Sequence, residues 1–248
     1  MGNISKQEKK YINSLSVKKY RDKERLFIVE GEKSVQEFLS SSFKVRKVYC
    51  TDECDFLDKY PDSSKITSSE MQQISNLKTA SPVLAVVEIP PVEIGTIPRN
   101  ELILALDDVQ DPGNLGTIIR IADWFGISCI VCSLFTADAY GPKTVQATMG
   151  SLTRIRLVYT DLYSFLKQAS DESLIYGTFL EGENIYTAEL SGNGIIVMGN
   201  EGKGISPEIA GLTSRKLLIP AFANNAAESL NVAVATAITC SEFRRRNY

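Results

Sequence analysis

The chain has 248 residues, 44% of them apolar, and a formal net charge of −3, so it can bury the core of one large or two small domains. It contains no histidine, which excludes Ser-His and Cys-His nucleophiles, histidine zinc sites and the usual general base at neutral pH. No apolar run reaches the roughly eighteen residues of a membrane span, and the N-terminus lacks a signal-peptide core. The expectation is a soluble, cytoplasmic protein with no membrane or metal partner, and five cysteines agree with a reducing compartment.

Charge is unevenly distributed. Residues 1–47 carry 12 Lys/Arg against 6 Asp/Glu, residues 48–96 carry 3 against 8, and the remainder 12 against 16. A basic N-terminal block on an acidic body suits contact with a polyanion, and equally suits a solvated helix. Lys18, Lys19, Arg21, Lys23 and Arg25 in "VKKYRDKERL" are crowded enough to offer about three or four phosphate contacts.

The block leads into "FIVEG", an amphipathic "EKSVQEFLSS", "VRKVYC" and "SPVLAVVEI", the pattern of a small α/β domain. "EIPPVEIGTIPRN", residues 88–100, then breaks the chain with three prolines and a glycine, which predicts domains over 1–95 and 96–248. Beyond it, strand-length apolar runs recur: "LILALDDV", "SCIVCSLF", "TRIRLVY", "SLIYGTFL", "GIIVMGN" and "KLLIPA". Helical segments separate most of them, so the expected fold is α/β with a mainly parallel sheet covered on both faces. Cys129 and Cys132 form a CxxC inside one of these runs. Strand residues three apart point to opposite faces, so core packing is expected of them. The final "ESLNVAVATAITCSEFRRR" reads as a helix of about five turns, with Val232, Ala235, Ile238 and Thr239 on one face. Its three arginines can cap the helix C-terminus or reach the backbone of a polyanion such as a nucleic acid.

Ligands of parallel α/β sheets bind at the carboxyl ends of the strands, and three loops there are chemically dense. In "LDDVQDPGNLGTIIRIADWFG", Asn114 is a candidate helix cap and Arg120 projects from the second turn of the helix that follows. In "VMGNEGKGIS", Gly199, Asn200, Glu201 and Gly202 suggest a phosphate loop. Lys203 is followed by Gly204, not Ser or Thr, and the glycine spacing is G-x-x-G-x-G, so neither a P-loop nor a dinucleotide fingerprint is present. In "LIPAFANNAAESLNVAVA", Pro220 stops a strand and Glu228 to Asn231 opens the last helix.

Together these loops resemble the three signature motifs of the SpoU–TrmH RNA 2′-O-methyltransferases of the SPOUT class. Asn114, Gly116 and Arg120 match N-x-G-x-x-x-R. Gly199, Glu201 and Gly204 match G-x-E-x-x-G, and an Ile-Pro pair precedes "SLNVAVA". "ATMGSLTRI" is similar to the family's small-residue segment before a strand. "SLSVKKYRDKERLFIVEGEKSVQEFL" resembles the RNA-binding domain, related to ribosomal protein L30e, that many members carry. One departure is "AFANNAAE" between Pro220 and Ser229, where the family has a shorter, glycine-containing loop.

The resemblance implies methyl transfer from S-adenosyl-L-methionine to a ribose 2′-hydroxyl of structured RNA, ribosomal RNA in preference to transfer RNA. The cofactor would lie in a C-terminal trefoil knot, against main-chain groups of Gly199, Ile219 and Leu230 with Thr178, Asn200, Gly202 and Ser229 beside them. Lys203 would be a solvent-facing bystander. Arg120 would activate or clamp the acceptor hydroxyl, with Asn114, Glu201, Ser229 and Asn231 holding it and the ribose. Glu201 as the base is the less favoured variant. Members of this class are homodimers in which Arg120 of one subunit approaches the cofactor of the other. A relative of the same fold that has lost catalysis and only binds RNA is the alternative.

Overall fold

The computed structural model describes residues 4–54, 63–91, 100–223 and 228–246, which form two compact units. The first holds the described residues up to Pro91 together with Asp138–Thr153, and the second holds the others. The expected boundary at 95/96 lies outside the described residues, as do positions 92–99 of the proline-rich stretch. The segment Asp138–Thr153, expected within the 96–248 domain, packs with the first unit.

In the first unit, β1 (Leu26–Glu30), β2 (Val45–Cys50), β3 (Ser64–Lys65) and β4 (Val83–Glu88) pair in the order β1-β4-β2-β3. Only β2 and β3 run parallel. β4 is internal and buried from Val83 to Val87, which explains its unbroken apolar reading. Successive residues of β1 face opposite ways. Ile28 meets Ile12 of α1 (Lys6–Ser14) and Met71 and Ile74 of α4 (Ser68–Ile74). Phe27 meets Phe38 of α3 (Glu32–Leu39), Phe43 and Tyr140, at centroid separations of 5.6, 6.2 and 5.0 Å. Tyr140 and α6 (Pro142–Thr148), whose Thr144, Val145 and Thr148 are buried, are how the 138–153 segment joins this core.

The basic block is only partly available to a polyanion. α2 (Lys18–Glu24) turns Arg21 inward, where it is 4% exposed. Its Nη2 and Nε donate to Asp138 Oδ2 at 2.6 and 3.2 Å, and its Nη1 donates to the Leu15 carbonyl at 2.7 Å. Arg21 is therefore a structural cation, correcting its expected place among the phosphate contacts. Arg25 donates to the Pro90 carbonyl at 2.7 Å, and Lys18 pairs with Asp22 at 3.0 Å on the surface.

The second unit carries a seven-stranded sheet in the order β7-β6-β5-β10-β8-β11-β9, and every pairing in it is parallel. Its strands are β5 (Leu102–Leu106), β6 (Cys129–Cys132), β7 (Arg156–Tyr159), β8 (Ile175–Phe179), β9 (Glu183–Asn184), β10 (Gly194–Met198) and β11 (Arg215–Leu218). All six strands expected from the apolar runs are present. The two-residue β9, like β3, lacks a run long enough to be read. β5, β6 and β10 are buried at every residue, as strands covered on both faces must be. Cys129 and Cys132 lie in this core, and burial raises both thiols above their ordinary range.

α5 (Pro112–Trp124), α7 (Leu162–Ala169), α8 (Pro207–Ala210) and α9 (Val232–Arg245) complete the unit, and α5 and α9 pack on each other. α9 is 14 residues long, about four turns, because Asn231 caps it and Glu228 to Leu230 stay outside. Its buried face runs through Val232, Ala233, Thr236, Thr239, Cys240 and Phe243; Ala235 and Ile238 are only half-buried. The arginine tail staples the unit. Arg244 donates to the carbonyls of Phe125 and Gly126 at 2.7 and 2.9 Å, just beyond the C-terminus of α5. Arg246 donates to the carbonyls of Ala188, Ile185 and Tyr186, and the buried Glu242 carboxylate binds both Arg245 and Arg246. These contacts reach other segments of the unit, the end of α5 and residues 185–188, instead of the carbonyls of α9 that the capping role expected. No helix among the described residues is long and apolar enough to cross a membrane.

Candidate active site

Three loops leave the carboxyl ends of β5, β10 and β11. The first begins at Asp107 and Asp108. Asp108 has φ 57°, a left-handed conformation that aspartate and asparagine reach more readily than other residues with a side chain. Its amide donates to the Ser133 hydroxyl oxygen at 2.9 Å, and its carbonyl accepts from Asn200 Nδ2 at 2.7 Å. The buried Asp107 carboxylate accepts from the Ser206 amide at 2.7 Å. Neither aspartate was singled out from sequence. Two carboxylates at the end of a fully apolar strand were the available signal.

The helix that follows starts earlier than the sequence suggested. Asp111 is its cap, accepting from the Asn114 amide at 2.9 Å, and Pro112 opens the first turn. Asn114 is thus inside the helix with its side chain free for other work, and Arg120 stands on the third turn instead of the second.

The β10 loop is closed on itself by two backbone hydrogen bonds of 2.9 Å between Asn200 and Gly204. Asn200 Oδ1 also accepts from the amides of Gly202 and Lys203, both at 3.0 Å. Gly199 is required here: a Cβ would lie 2.2 Å from the Gly204 carbonyl carbon. Gly204 adopts φ 72° at the other end of the loop. Lys203 is exposed.

Glu201 ties this loop to the first. Its Oε1 accepts from the Asp111 amide at 3.1 Å and from Asn114 Nδ2 at 3.0 Å, while Oε2 accepts from the Gln110 amide at 3.2 Å. Burial pushes this carboxyl upward, but the Asn114 and backbone donors outweigh it and hold it below its ordinary range. Asn114 Oδ1 in turn accepts from Asn231 Nδ2 at 2.9 Å. Asn231 Oδ1 caps α9 by accepting from the amides of Ala233 and Val234 at 2.9 and 3.3 Å. One polar chain, Glu201–Asn114–Asn231, therefore joins all three loops.

Arg120 is exposed and makes no hydrogen bond or ion pair with another described residue. It shares the outer face of α5 with Thr117 and with Trp124, which is 85% exposed. Ser229 is exposed and outside the network, and the stretch 224–227 of the loop before it lies outside the described residues. Thr178, near the end of β8, donates to the Val197 carbonyl at 3.3 Å. β8 lies between β10 and β11, so Thr178, Gly199 and Ile219 come together at neighbouring strand ends. Leu230 is 49% exposed. No group of three or more potential metal ligands occurs among the described residues.

Residues 101–241 match the SpoU rRNA Methylase family, and residues 6–85 match the MRM3-like substrate binding domain. The chain is 33% identical to the 23S rRNA (guanosine(2553)-2'-O)-methyltransferase RlmP of Bacillus subtilis over 96% of each chain. It is similar in structure to a TrmH-family protein from Porphyromonas gingivalis, with TM-score 0.88, 39% identity and coverage of 98% and 99% of the two chains. An AdoMet-bound rRNA methyltransferase from Sinorhizobium meliloti is also similar, with TM-score 0.88, 28% identity and coverage of 100% and 98%. This chain belongs to the SpoU rRNA methylase family, whose methyl donor is S-adenosylmethionine.

Proposed function

We propose that the protein methylates a ribose 2′-hydroxyl of large-subunit ribosomal RNA in the cytoplasm, acting as a homodimer. The observation that carries this reading is the Glu201–Asn114–Asn231 chain at the start of the helix that bears the exposed Arg120. The edge formed by Thr178, the backbone of the Gly199–Gly204 loop and Ile219 suits a nucleoside without phosphates, because it offers backbone groups and a hydroxyl. When bound there, S-adenosylmethionine would supply an electrophilic methyl group.

The acceptor oxygen forms a bond to carbon, the sulfonium loses one, and the hydroxyl proton must leave. Arg120 is a poor proton acceptor, since a guanidinium stays charged, with a pKa above about 12. Its planar fork can instead clamp a phosphate next to the target ribose and orient the hydroxyl, whose proton then passes by way of that phosphate to solvent. Glu201 is an equally poor base: its carboxylate already accepts three hydrogen bonds that hold its proton affinity down. Glu201, Asn114 and Asn231 are positioning residues that fix where α5 begins and hence where Arg120 stands. The dimer reading is supported by the outer faces of the packed helices α5 and α9, which expose Trp124 at 85% and Val234 at 49%. A partner seated there would cover Arg120 and bring it to a second cofactor site.

The test is transfer of labelled methyl to unmodified 23S rRNA transcript by wild type and Arg120→Ala. The variant should lose transfer while its S-adenosylmethionine affinity stays within a few-fold, and Arg120→Lys should also be poor. A wild type that transfers no methyl to rRNA, or an Arg120→Ala that turns over normally, overturns the assignment.

A further inference from the structure

The loop after β6 carries a feature that neither the fold nor the polar network above uses. Ser133 to Thr136 form a tight turn, closed by the Thr136 amide donating to the Ser133 carbonyl at 3.2 Å. Its two ends are buried and pinned. The Ser133 hydroxyl donates to Asp108 Oδ1 at 2.5 Å and lies 3.0 Å from the Thr136 hydroxyl, which donates to the Leu106 carbonyl at 3.2 Å. The Ala137 amide adds a bond of 2.8 Å to the Val109 carbonyl. At the tip stand Leu134 and Phe135, 65% and 76% exposed. Tight-turn centres ordinarily carry Gly, Pro, Asn, Asp or Ser, because such residues suit the backbone and face water without cost. Here a rigid support holds a leucine and a phenylalanine out into solvent.

The location gives the pair a purpose. β6 neighbours β5, and β5 neighbours β10, so the turn emerges one strand from the Asp111–Asn114 loop and two from the Glu201 loop. At about 4.8 Å between strands, two steps are about 10 Å, within reach of a nucleotide adjacent to the one being methylated. Asp108 links the two features directly, since it holds Ser133 by its carboxylate and Asn200 by its carbonyl. Sequence-specific RNA binding acts largely through unstacked bases laid on aromatic rings, and a ring carried on a pinned turn costs less ordering of the chain on receiving one.

We infer that Phe135, supported by Leu134, is a substrate-positioning platform on which an unpaired base flanking the target ribose stacks. The inference rests on the RNA ribose methylation proposed above. It adds a non-ionic contact that selects for splayed, single-stranded RNA at the catalytic edge of the second unit.

Binding of unmodified 23S rRNA transcript, by filter retention at fixed salt, tests it with Phe135→Ala, Phe135→Leu and Phe135→Trp. Phe135→Ala should bind about tenfold more weakly and raise KM for RNA correspondingly. Phe135→Trp should restore binding and Phe135→Leu should not, because a leucine has no ring to stack. The slope of log affinity against log salt should not change, since stacking displaces no counterion. Cofactor affinity and oligomeric state should remain those of the wild type. Unaltered RNA binding by Phe135→Ala, or full rescue by leucine, overturns the stacking role. A shift of Phe135→Ala to a smaller oligomer also overturns it, assigning the turn to a protein interface. If the wild type transfers no methyl to the transcript, the functional reading itself falls and takes this one with it.

Discussion

Replacing Arg21 with alanine should destabilise the first unit without weakening phosphate contact. The substitution removes three hydrogen bonds, two to Asp138 and one to the Leu15 carbonyl. It also leaves Asp138 beside the vacated site with only 19% of its side chain exposed. Losing one partner of a buried pair costs about 3–5 kcal/mol. Asp138 keeps some water and the Tyr140 amide at 2.9 Å, which places the loss near the lower end, about 3 kcal/mol. In a chain of this size that is roughly 6–12 °C of melting temperature. Thermal unfolding followed by circular dichroism reads the loss, and a double-mutant cycle with Asp138→Ala should return a coupling of about 2 kcal/mol. The RNA salt slope of Arg21→Ala should match the wild type while the protein remains folded. Melting within about a degree of wild type, with a slope flattened by one unit, would refute the buried-pair reasoning and return Arg21 to the RNA surface.

Lys18→Ala with Lys19→Ala should flatten the RNA salt slope by about 1.4–1.8 units, two phosphates' worth, because the Lys18–Asp22 pair is exposed and cheap to open; filter binding across a salt series checks it. Arg244→Ala leaves the Phe125 and Gly126 carbonyls without their donor and should cost about 1–2 kcal/mol in a denaturant melt, with RNA affinity unchanged. Glu201→Gln should lower stability by about 1 kcal/mol at neutral pH, because the amide nitrogen of Gln would face backbone donors. The carboxyl of Glu201 lies below its ordinary value near 4.5, so its contribution is complete above that pH and is lost as pH falls through the depressed value. Melts of the Gln variant between about pH 3 and 6 should therefore lose part of the acid dependence that the wild type shows.

Much of this protein was legible along the chain. Fully buried parallel strands must be apolar at every position, so β5, β6 and β10 announced themselves, and the three motif loops at strand ends are the ones that the structure joins in a candidate site. The missing histidine removed whole classes of mechanism before any fold was known. Charge counting succeeded less well, because a count has no direction. Lys18, Lys19 and Arg21 look alike on paper, yet the helical turn sends Arg21 inward to Asp138, 117 residues away. The same limit hid the allegiance of 138–153: what recruits it is Tyr140 meeting Phe27, a contact between residues with no local signal for each other. Asn114 reads as a cap because Asn commonly is one. Only the folded chain shows that Asp111 takes that place and leaves Asn114 to bridge Glu201 and Asn231. Periodicity and spacing report short-range backbone preference, which is written residue by residue. The partners of a polar side chain depend on which distant loops the sheet order brings together, and here that order runs β5, β10, β8, β11, unlike the order of the chain.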